Sequence, residues 1–500
     1  MKKILIANRG EIAVRVIRAC RDMGLGTVAV YSECDRAALH VRMADQAWPV
    51  GPSPPRESYL RIDRILEAAA ESGADAIHPG YGFLAENEDL AAACQDARLI
   101  FIGPTAHAIR LMGSKTAARQ IAQAAGVPVV PGTDQPLDED VSESEVRRIA
   151  EAIGYPVMLK AVAGGGGKGM RRVTTPDDLA SALRGARSEA LSAFGDGSVY
   201  LERQLLRPRH IEIQLLADHH GVVIPFVERE CSIQRRHQKI VEESPSPVVT
   251  AELRRRLASA AASIAKAAGY TNAGTIEFLL DSDGTFYFLE MNARLQVEHP
   301  ITELVSGVDL VQWQIRIARA ERLTLDPEAM LSPRAHAIEC RIYAEDPANG
   351  FLPSPGRIQG LRVPQGPGVR DDNGVYEGGE VPIFYDPMIS KLITWADDRP
   401  RAIARMRRAL AEYEVRGIRT TIPFFQWLLE RDDFHKAEFD TTYIDRVFNG
   451  QGLATAWDGD HEDLAVIAAA VHQFTRSDQT GAPIAAVSRW RDVARSEGLR

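Results

Sequence analysis

Residues 275–292 read T-I-E-F-L-L-D-S-D-G-T-F-Y-F-L-E-M-N. Two runs rich in Ile, Phe, Tyr and Leu flank Asp283-Gly284, a dipeptide that accepts the positive φ of a tight turn. The stretch therefore predicts a β-hairpin. Folding about that turn sets Glu277 nearly opposite Glu290, and Asn292, two residues on, shares the face of Glu290. Facing carboxylates repel unless something positive lies between them. Glu, Glu and Asn offer the oxygen donors that Mg²⁺ takes when phosphates complete its shell. Ile276, Phe278, Leu289 and Met291 can fill a core on the opposite face. A merely solvated hairpin face is the alternative, and Asn292 on the same side argues against it.

Upstream of the hairpin the pattern predicts a helix over 251–268 and strands over 211–217 and 222–228. Residues 228–239, E-R-E-C-S-I-Q-R-R-H-Q-K, are dense in donors. A charge run is ordinarily a solvated face. Lys239 stands out, because the chain carries nine Lys against fifty Arg. An ammonium and a guanidinium are different tools, so a Lys inside a motif is informative. Further upstream, K-A-V-A-G-G-G-G-K-G-M (160–170) lies between two predicted strands. Four adjacent glycines cost folding entropy and leave a backbone able to lie over phosphates and present N–H groups. The spacing is not that of a P-loop, which precedes a helix. Helix, strand, Gly-rich loop, strand, helix and strand between 143 and about 200 predict a compact insert. Residues 113–130 predict a helix ending at Gly126.

Downstream, R-L-Q-V-E-H-P (294–300) offers Arg294 as a planar fork for a carboxylate-like anion and Glu298 as a general base. His299, before Pro300, reads as structural. A helix over 307–320 follows. Residues 321–334, with Pro327 and Pro333, resemble a linker. H-A-I-E-C-R-I-Y-A-E-D-P (336–347) places Arg341 among apolar residues of a strand, where an Arg ordinarily faces solvent or pairs with an acid. Short strands and a helix at 400–414 complete this part, and 462–474 is an Ala-rich helical stretch. At the other end, residues 1–112 alternate strand and helix: KILIA (3–7), helix 11–23, TVAVYS (27–32), helix 58–72, AIHP, helix 87–95 and LIFIG (99–103). That is a doubly wound parallel α/β pattern. Its first turn, NRGEIA, is not G-x-G-x-x-G.

The wider numbers agree. Five hundred residues, 45% hydrophobic and 25% charged, fit a globular chain of roughly three domains. No apolar run is long enough to span a bilayer, and the N-terminus reads as a strand, not a signal peptide. A net charge of −9 without basic runs argues against nucleic acid as a partner. Five cysteines, an odd number without a C-x-x-C pair, predict reduced thiols, no zinc site and a cytoplasmic setting.

The motifs, in order, resemble the biotin carboxylase family of the ATP-grasp superfamily: IANRGEIA (6–13), HPGYGFLAEN (78–87), FIGP (101–104), GSK (113–115), KAVAGGGGKGM, PRHIEIQ (208–214), ERECSIQRRHQK, EMNARLQVEHP (290–300) and ECRIYAEDP (339–347). The likeness covers about residues 1–447. It implies an α/β fold with a Rossmann-like pre-ATP-grasp domain at 1–112, an ATP-grasp domain at 113–322 with a mobile lid at about 131–205, and an α+β domain at 335–447. Residues 448–500 would be a tail for partner docking.

By position, the resemblance implies that Lys115 and Lys160 hold ATP phosphates beneath Gly165, Gly166, Gly167 and Met170. Glu202 and Leu205 would meet the adenine side, with His210, Gln234 and His237 as further nucleotide contacts. Glu277 and Glu290 would bind ATP through the metal, Mg²⁺ or Mn²⁺ in two ions, with Asn292 completing the set. Arg294, Gln296, Val297 and Glu298 would take bicarbonate, with Glu298 the base and Lys239 stabilising charge. Arg341 would face the biotin ureido oxygen, and Tyr81 would join the bicarbonate and biotin set.

Ala163 departs from the glycine the family commonly has there, and no A-M-K-M-like biotin attachment site is present. The implied reaction is thus ATP-dependent carboxylation of biotin on a separate carrier protein, with carboxyl transfer left to another polypeptide, the carboxyltransferase subunit. The family implies a homodimer or larger, with Arg15 in a segment associated with that contact. An acyl-CoA carboxylase is the leading assignment. A two-subunit pyruvate carboxylase, or another ATP-grasp ligase of the carbamoyl phosphate kind, is the alternative. A regulatory nucleotide-binding chain would not need Glu277, Glu290, Asn292, Arg294, Glu298 and Lys239 together.

Overall fold

A computed structural model describes the chain except residues 134, 138–140, 163–169, 451–452, 454–465 and 473–500. Residues 1–451 pack as one unit, and 452–500 form a second. In the latter, the described residues 466–472 are helical, within the Ala-rich stretch.

The N-terminal sheet is wholly parallel. Its order is Gln46–Gly51, Gly26–Ser32, Lys3–Ile6, Ala76–His78, Ile100–Phe101. Buried Ile4, Leu5, Ile6, Val28 and Val30 make the near-continuous apolar strands that a sheet covered on both faces requires. The edge strand Gln46–Gly51 was not expected, because Trp48-Pro49 interrupts its pattern. Pro is tolerated there because an edge strand can spare one donor. The helix expected over 58–72 begins only at Ile62, after a short turn at Pro55–Glu57.

The small sheet pairs Val157–Ala161 with Met170–Val173 on one side and Val199–Arg203 on the other. Helices Glu143–Ile153 and Leu179–Phe194 cover it around Val146, Leu159, Val173 and Leu183. This is the compact insert read from 143–200. The glycine run between its strands falls largely within 163–169, outside the described residues. The helix expected within 113–130 is Lys115–Ala124; a further helix, Ala106–Gly113, was not expected, and the two are divided at Ser114, whose hydroxyl accepts from the Ala117 amide. A Ser that caps a helix start ends the helix before it.

The large sheet is antiparallel. Its path runs Phe286–Asn292, Asn272–Leu280, Arg209–Ala217, Arg229–Arg235, Gln238–Ser244, His336–Tyr343, Met388–Ala396, Val369–Asn373, with Val223–Pro225 paired to Arg209–Ala217. The opening hairpin is therefore one edge of a sheet that continues into the C-terminal part. Glu277 pairs with Glu290, and Gly284 turns at φ +82°. The helix expected over 307–320 is Leu310–Ala318; a further helix, His299–Ser306, was not expected and ends at Gly307 with φ +76°.

Most of the run 228–239 is not a solvated face; only Arg236, His237 and Gln238, at its turn, are exposed. Arg229 is fully buried. Its guanidinium pairs with Glu212 and donates to Gln214 Oε1 at 2.9 Å, Thr302 Oγ1 at 2.8 Å and Thr275 Oγ1 at 3.1 Å. A guanidinium satisfied by several acceptors can remain charged out of water. Replacing Arg229 by Met leaves the buried carboxylate of Glu212 with one cation fewer, and should cost about 3–5 kcal/mol of stability. Denaturant unfolding measures it, and a loss below about 1 kcal/mol would contradict this account.

Candidate active site

A cavity of about 500 Å³ lies between the small sheet and the large one. Lys160, Met170, Glu202 and Leu205 form one wall. Lys160 alternates with apolar Leu159 and Ala161 along its strand, so the register turns its ammonium to the cavity while its neighbours fill the core. It pairs there with Glu202, whose other oxygen lies 3.7 Å from Arg119. Lys115 opens its helix and donates to the Ala161 carbonyl at 3.4 Å. Burial, with the repulsion of Lys160, lowers the Lys115 pKa against the pull of Glu290. Two ammonium groups side by side call for an anion.

The floor is the large sheet. Gln234 Nε2 meets His210 Nδ1 at 2.9 Å, and His210 Nε2 lies 3.0 Å from Glu277 Oε2. Since the amide can only donate, Nδ1 accepts and the proton sits on Nε2, facing the carboxylate. Lys239 donates to Glu212 at 2.5 Å, Glu277 at 2.7 Å and Glu298 at 2.8 Å. Burial opposes charge on Lys239, but these three carboxylates prevail and hold its pKa well above the ordinary value. Burial likewise works to raise Glu277, and Lys239 and His210 overcome it, leaving the acid well below its usual range. Glu290 goes the other way, raised by burial and then by the charge of Glu277.

This asymmetry is a fit test for a cation. Glu277 has its positive partners, whereas Glu290 is a carboxylate kept uncomfortable by its cross-strand neighbour. A divalent ion between them would relieve it. Asn292 lies beside them, its Nδ2 donating to Glu277 Oε1 at 2.8 Å. The oxygen-only donor set suits magnesium.

At the far end stand Arg294, Gln296, Val297 and Arg341. Arg294 Nε donates to Glu86 at 2.8 Å and its Nη1 to Gln296 Oε1 at 3.0 Å. Gln296 Nε2 donates to Glu277 Oε1 at 3.0 Å. Beneath them lies Glu298, fully buried, held by Lys239 and by Arg341 at 2.9 Å. Burial would raise its pKa, but Lys239, Arg341 and Arg229 hold it well below the usual carboxylate range. Arg341 does not face solvent: it is buried and also bonded to Glu242 at 2.5 Å. Burial pushes Glu242 up to about 7, against the pull of Arg341.

Two expected residues sit at the rim of the site or beyond it. His237 is exposed, in the turn between Arg229–Arg235 and Gln238–Ser244, at φ +64°, although it still edges the cavity. Tyr81 does not line the cavity, and its ring lies 5.6 Å from Lys391 Nζ behind it. Gly165, Gly166 and Gly167 lie outside the described residues. Sequence reasoning missed Glu212, Glu86 and Glu242, which hold Lys239, Arg294 and Arg341. Glu212 and Glu86 sit inside PRHIEIQ and HPGYGFLAEN, and a count of unpaired cations in the site would have asked for them.

Residues 1–109 match the family described as biotin carboxylase, N-terminal domain. Residues 114–326 match carbamoyl-phosphate synthase L chain, ATP binding domain, and 339–446 match biotin carboxylase C-terminal domain. The chain is 55% identical over 448 residues to a pyruvate carboxylase subunit of Methanothermobacter thermautotrophicus, covering 90% of each. It is 52% identical over 445 residues to the biotin carboxylase of a Nostoc species, covering 89% of this chain and 99% of that one. It resembles the biotin carboxylase domain dimer of Hydrogenobacter thermophilus 2-oxoglutarate carboxylase, solved with MgADP, ADP and bicarbonate. The TM-score is 0.85 at 48% identity, over 89% of this chain and 97% of that one.

Proposed function

Because this chain belongs to the biotin carboxylase family and is an ATP-dependent biotin carboxylase, we propose that its cavity carboxylates biotin on a separate carrier protein, using bicarbonate, as the first half-reaction of a larger carboxylase. The single observation that carries this reading is Glu298, a buried carboxylate gripped by Lys239 and Arg341 beside the magnesium-type oxygen set. The match of a relative solved with MgADP and bicarbonate supports the ligands. We take 1–112, 113–322 and 335–447 as the three domains, in keeping with the three matched families.

Lys115 and Lys160 take the ATP phosphates in place of the contacts they now make with Ala161 and Glu202. Glu202 and Leu205 meet the adenine side, and His210 and Gln234 orient the nucleotide. Glu277, Glu290 and Asn292 would hold magnesium, which would supply positive charge against the ATP phosphates. Bicarbonate lies against Arg294, Gln296 and the main chain at Val297, where Glu298 takes its proton. The oxygen so freed attacks the γ-phosphorus, ADP leaves, and carboxyphosphate forms. It breaks to CO₂ and phosphate. The phosphate accepts the ureido N–H proton of biotin, and Arg341 stabilises the negative ureido oxygen while the nitrogen captures CO₂. Lys239 offsets negative charge throughout.

A base with a depressed pKa is a weak one, so the anion itself must take part of Lys239 from Glu298 when it binds. The sign is fixed: the active form is the carboxylate, present above its pKa and lost only as pH falls through it. With its pKa held below the usual 4.3 or so, Glu298 should give kcat/KM for bicarbonate no acid limb between about pH 7 and 8.5. A limb near pH 7 that survives Glu242→Gln would contradict this.

The acceptor is chosen by the carboxyltransferase partner. We retain an acyl-CoA carboxylase as the parent complex. The pyruvate carboxylase relative, at 55% identity, favours the second reading. ADP release by the purified chain tests the half-reaction: it should require bicarbonate and rise with free biotin. Stimulation by ammonia instead of bicarbonate would overturn it.

A further inference from the structure

Lys391, one of the chain's nine lysines, lies in Met388–Ala396 and is fully buried. The reaction above assigns it nothing. Its register partner on the neighbouring strand is Arg341. Two cations directly opposite each other in a buried sheet repel and lose their hydration, so the pair needs a reason. What the two share is a single turn. Arg341 donates to the carboxylate of Glu298, and Lys391 Nζ donates to the carbonyl of Val297 at 3.0 Å. The two cations thus grip consecutive residues, one by side chain and one by main chain.

The same ammonium reaches the N-terminal part of the chain. Glu11 Oε2, in the first turn of helix Gly10–Asp22, lies 3.1 Å from it, and the Tyr81 ring centroid 5.6 Å. A cation at that distance over an aromatic face is attracted to it. The flanking strand on the other side sets Asp372 opposite Lys391. One buried cation therefore ties the first helix, the expected C-terminal domain and the turn at 297–298 together. Glu298 is the N-cap of helix His299–Ser306, so Val297 stands one residue outside it and its carbonyl has no place in the helix ladder.

We propose that Lys391 is a positioning residue: its bond to the Val297 carbonyl fixes the peptide preceding Glu298, and so places both the bicarbonate contact at Val297 and the carboxylate of the base. The proposal rests on the reading of 294–298 as the bicarbonate site. Lys391 touches no substrate. It acts through the turn, with Glu11 as counter-charge and Tyr81 as packing partner. This also gives Tyr81, expected among the bicarbonate and biotin contacts, a place behind the site.

The test compares wild type, Lys391→Met and the neutral pair Glu11→Gln/Lys391→Met. Wild type must first show bicarbonate-dependent ADP release; its absence overturns the reading of the site and not this inference. Lys391→Met leaves Glu11 buried without its cation and loses thermal stability, and the neutral pair restores much of it, because the isolated charge is gone. The pair still lacks a donor to Val297. Both variants should lose roughly 10- to 100-fold in kcat/KM for bicarbonate, the size expected for a misplaced reacting group, with MgADP affinity changed less than about 2-fold. Wild-type bicarbonate kinetics in the neutral pair would overturn the proposal, since Lys391 would then only neutralise Glu11. An equal loss of MgADP affinity would overturn it too, as would failure of both variants to fold, which would place Lys391 in stability alone.

Discussion

Replacing Glu298 by Gln should abolish bicarbonate-dependent ADP release and leave MgADP binding intact. The substitution keeps volume and one acceptor, so one of Lys239 and Arg341, which bond separate oxygens of Glu298, retains its partner. What it removes is the capacity to accept a proton. A positioned base contributes roughly 10²- to 10⁴-fold, and the amide cannot supply it. Gln also brings an NH₂ among the donors of Lys239 and Arg341, so the bicarbonate turn loosens as well. Steady-state kinetics with varied bicarbonate, beside calorimetric titration with MgADP, separate chemistry from binding. Turnover within about 10-fold of wild type would remove Glu298 as the base.

The second large effect is at the hairpin. Glu290→Gln removes one of two facing carboxylates. On its own that relieves repulsion, since Glu277 is what raises the Glu290 pKa after burial. Apparent stability should therefore hold or rise slightly. The cost falls on the metal: with one anionic donor fewer, the magnesium concentration giving half-maximal rate should rise roughly 10- to 100-fold or more. A stabler protein that needs more magnesium is the expected pair of results. An unchanged magnesium requirement would contradict the placement of the ion at this hairpin.

Much of this was legible in the sequence, for physical reasons. Asp283-Gly284 fixes the hairpin register locally, so Glu277 against Glu290 followed from counting. The parallel sheet of residues 1–101 followed from the alternation of strand and helix. What was not legible is long-range pairing. Gln238–Ser244 lies against His336–Tyr343 across about ninety residues, and that joint brings Arg341 onto Glu298. Nothing local in ECRIY says its arginine is buried, and only the family resemblance gave it a role. Helices Ala106–Gly113 and His299–Ser306 were not legible, because at eight residues each they are too short for a helical period to stand out. The counter-charges Glu212 and Glu242 were missed because an acid in an alternating strand looks like its solvent face until its partner is known, and Glu86 because it sits exposed in a turn.

The most direct test of the account is a crystal structure of the protein grown with MgADP and bicarbonate. It should place magnesium between the carboxylates of Glu277 and Glu290 with Asn292 adjacent, and a planar anion against Arg294, Gln296 and Val297 within hydrogen-bonding reach of Glu298. Nucleotide in the cavity with the ion away from 277, 290 and 292, or bicarbonate bound remote from Glu298, would contradict it.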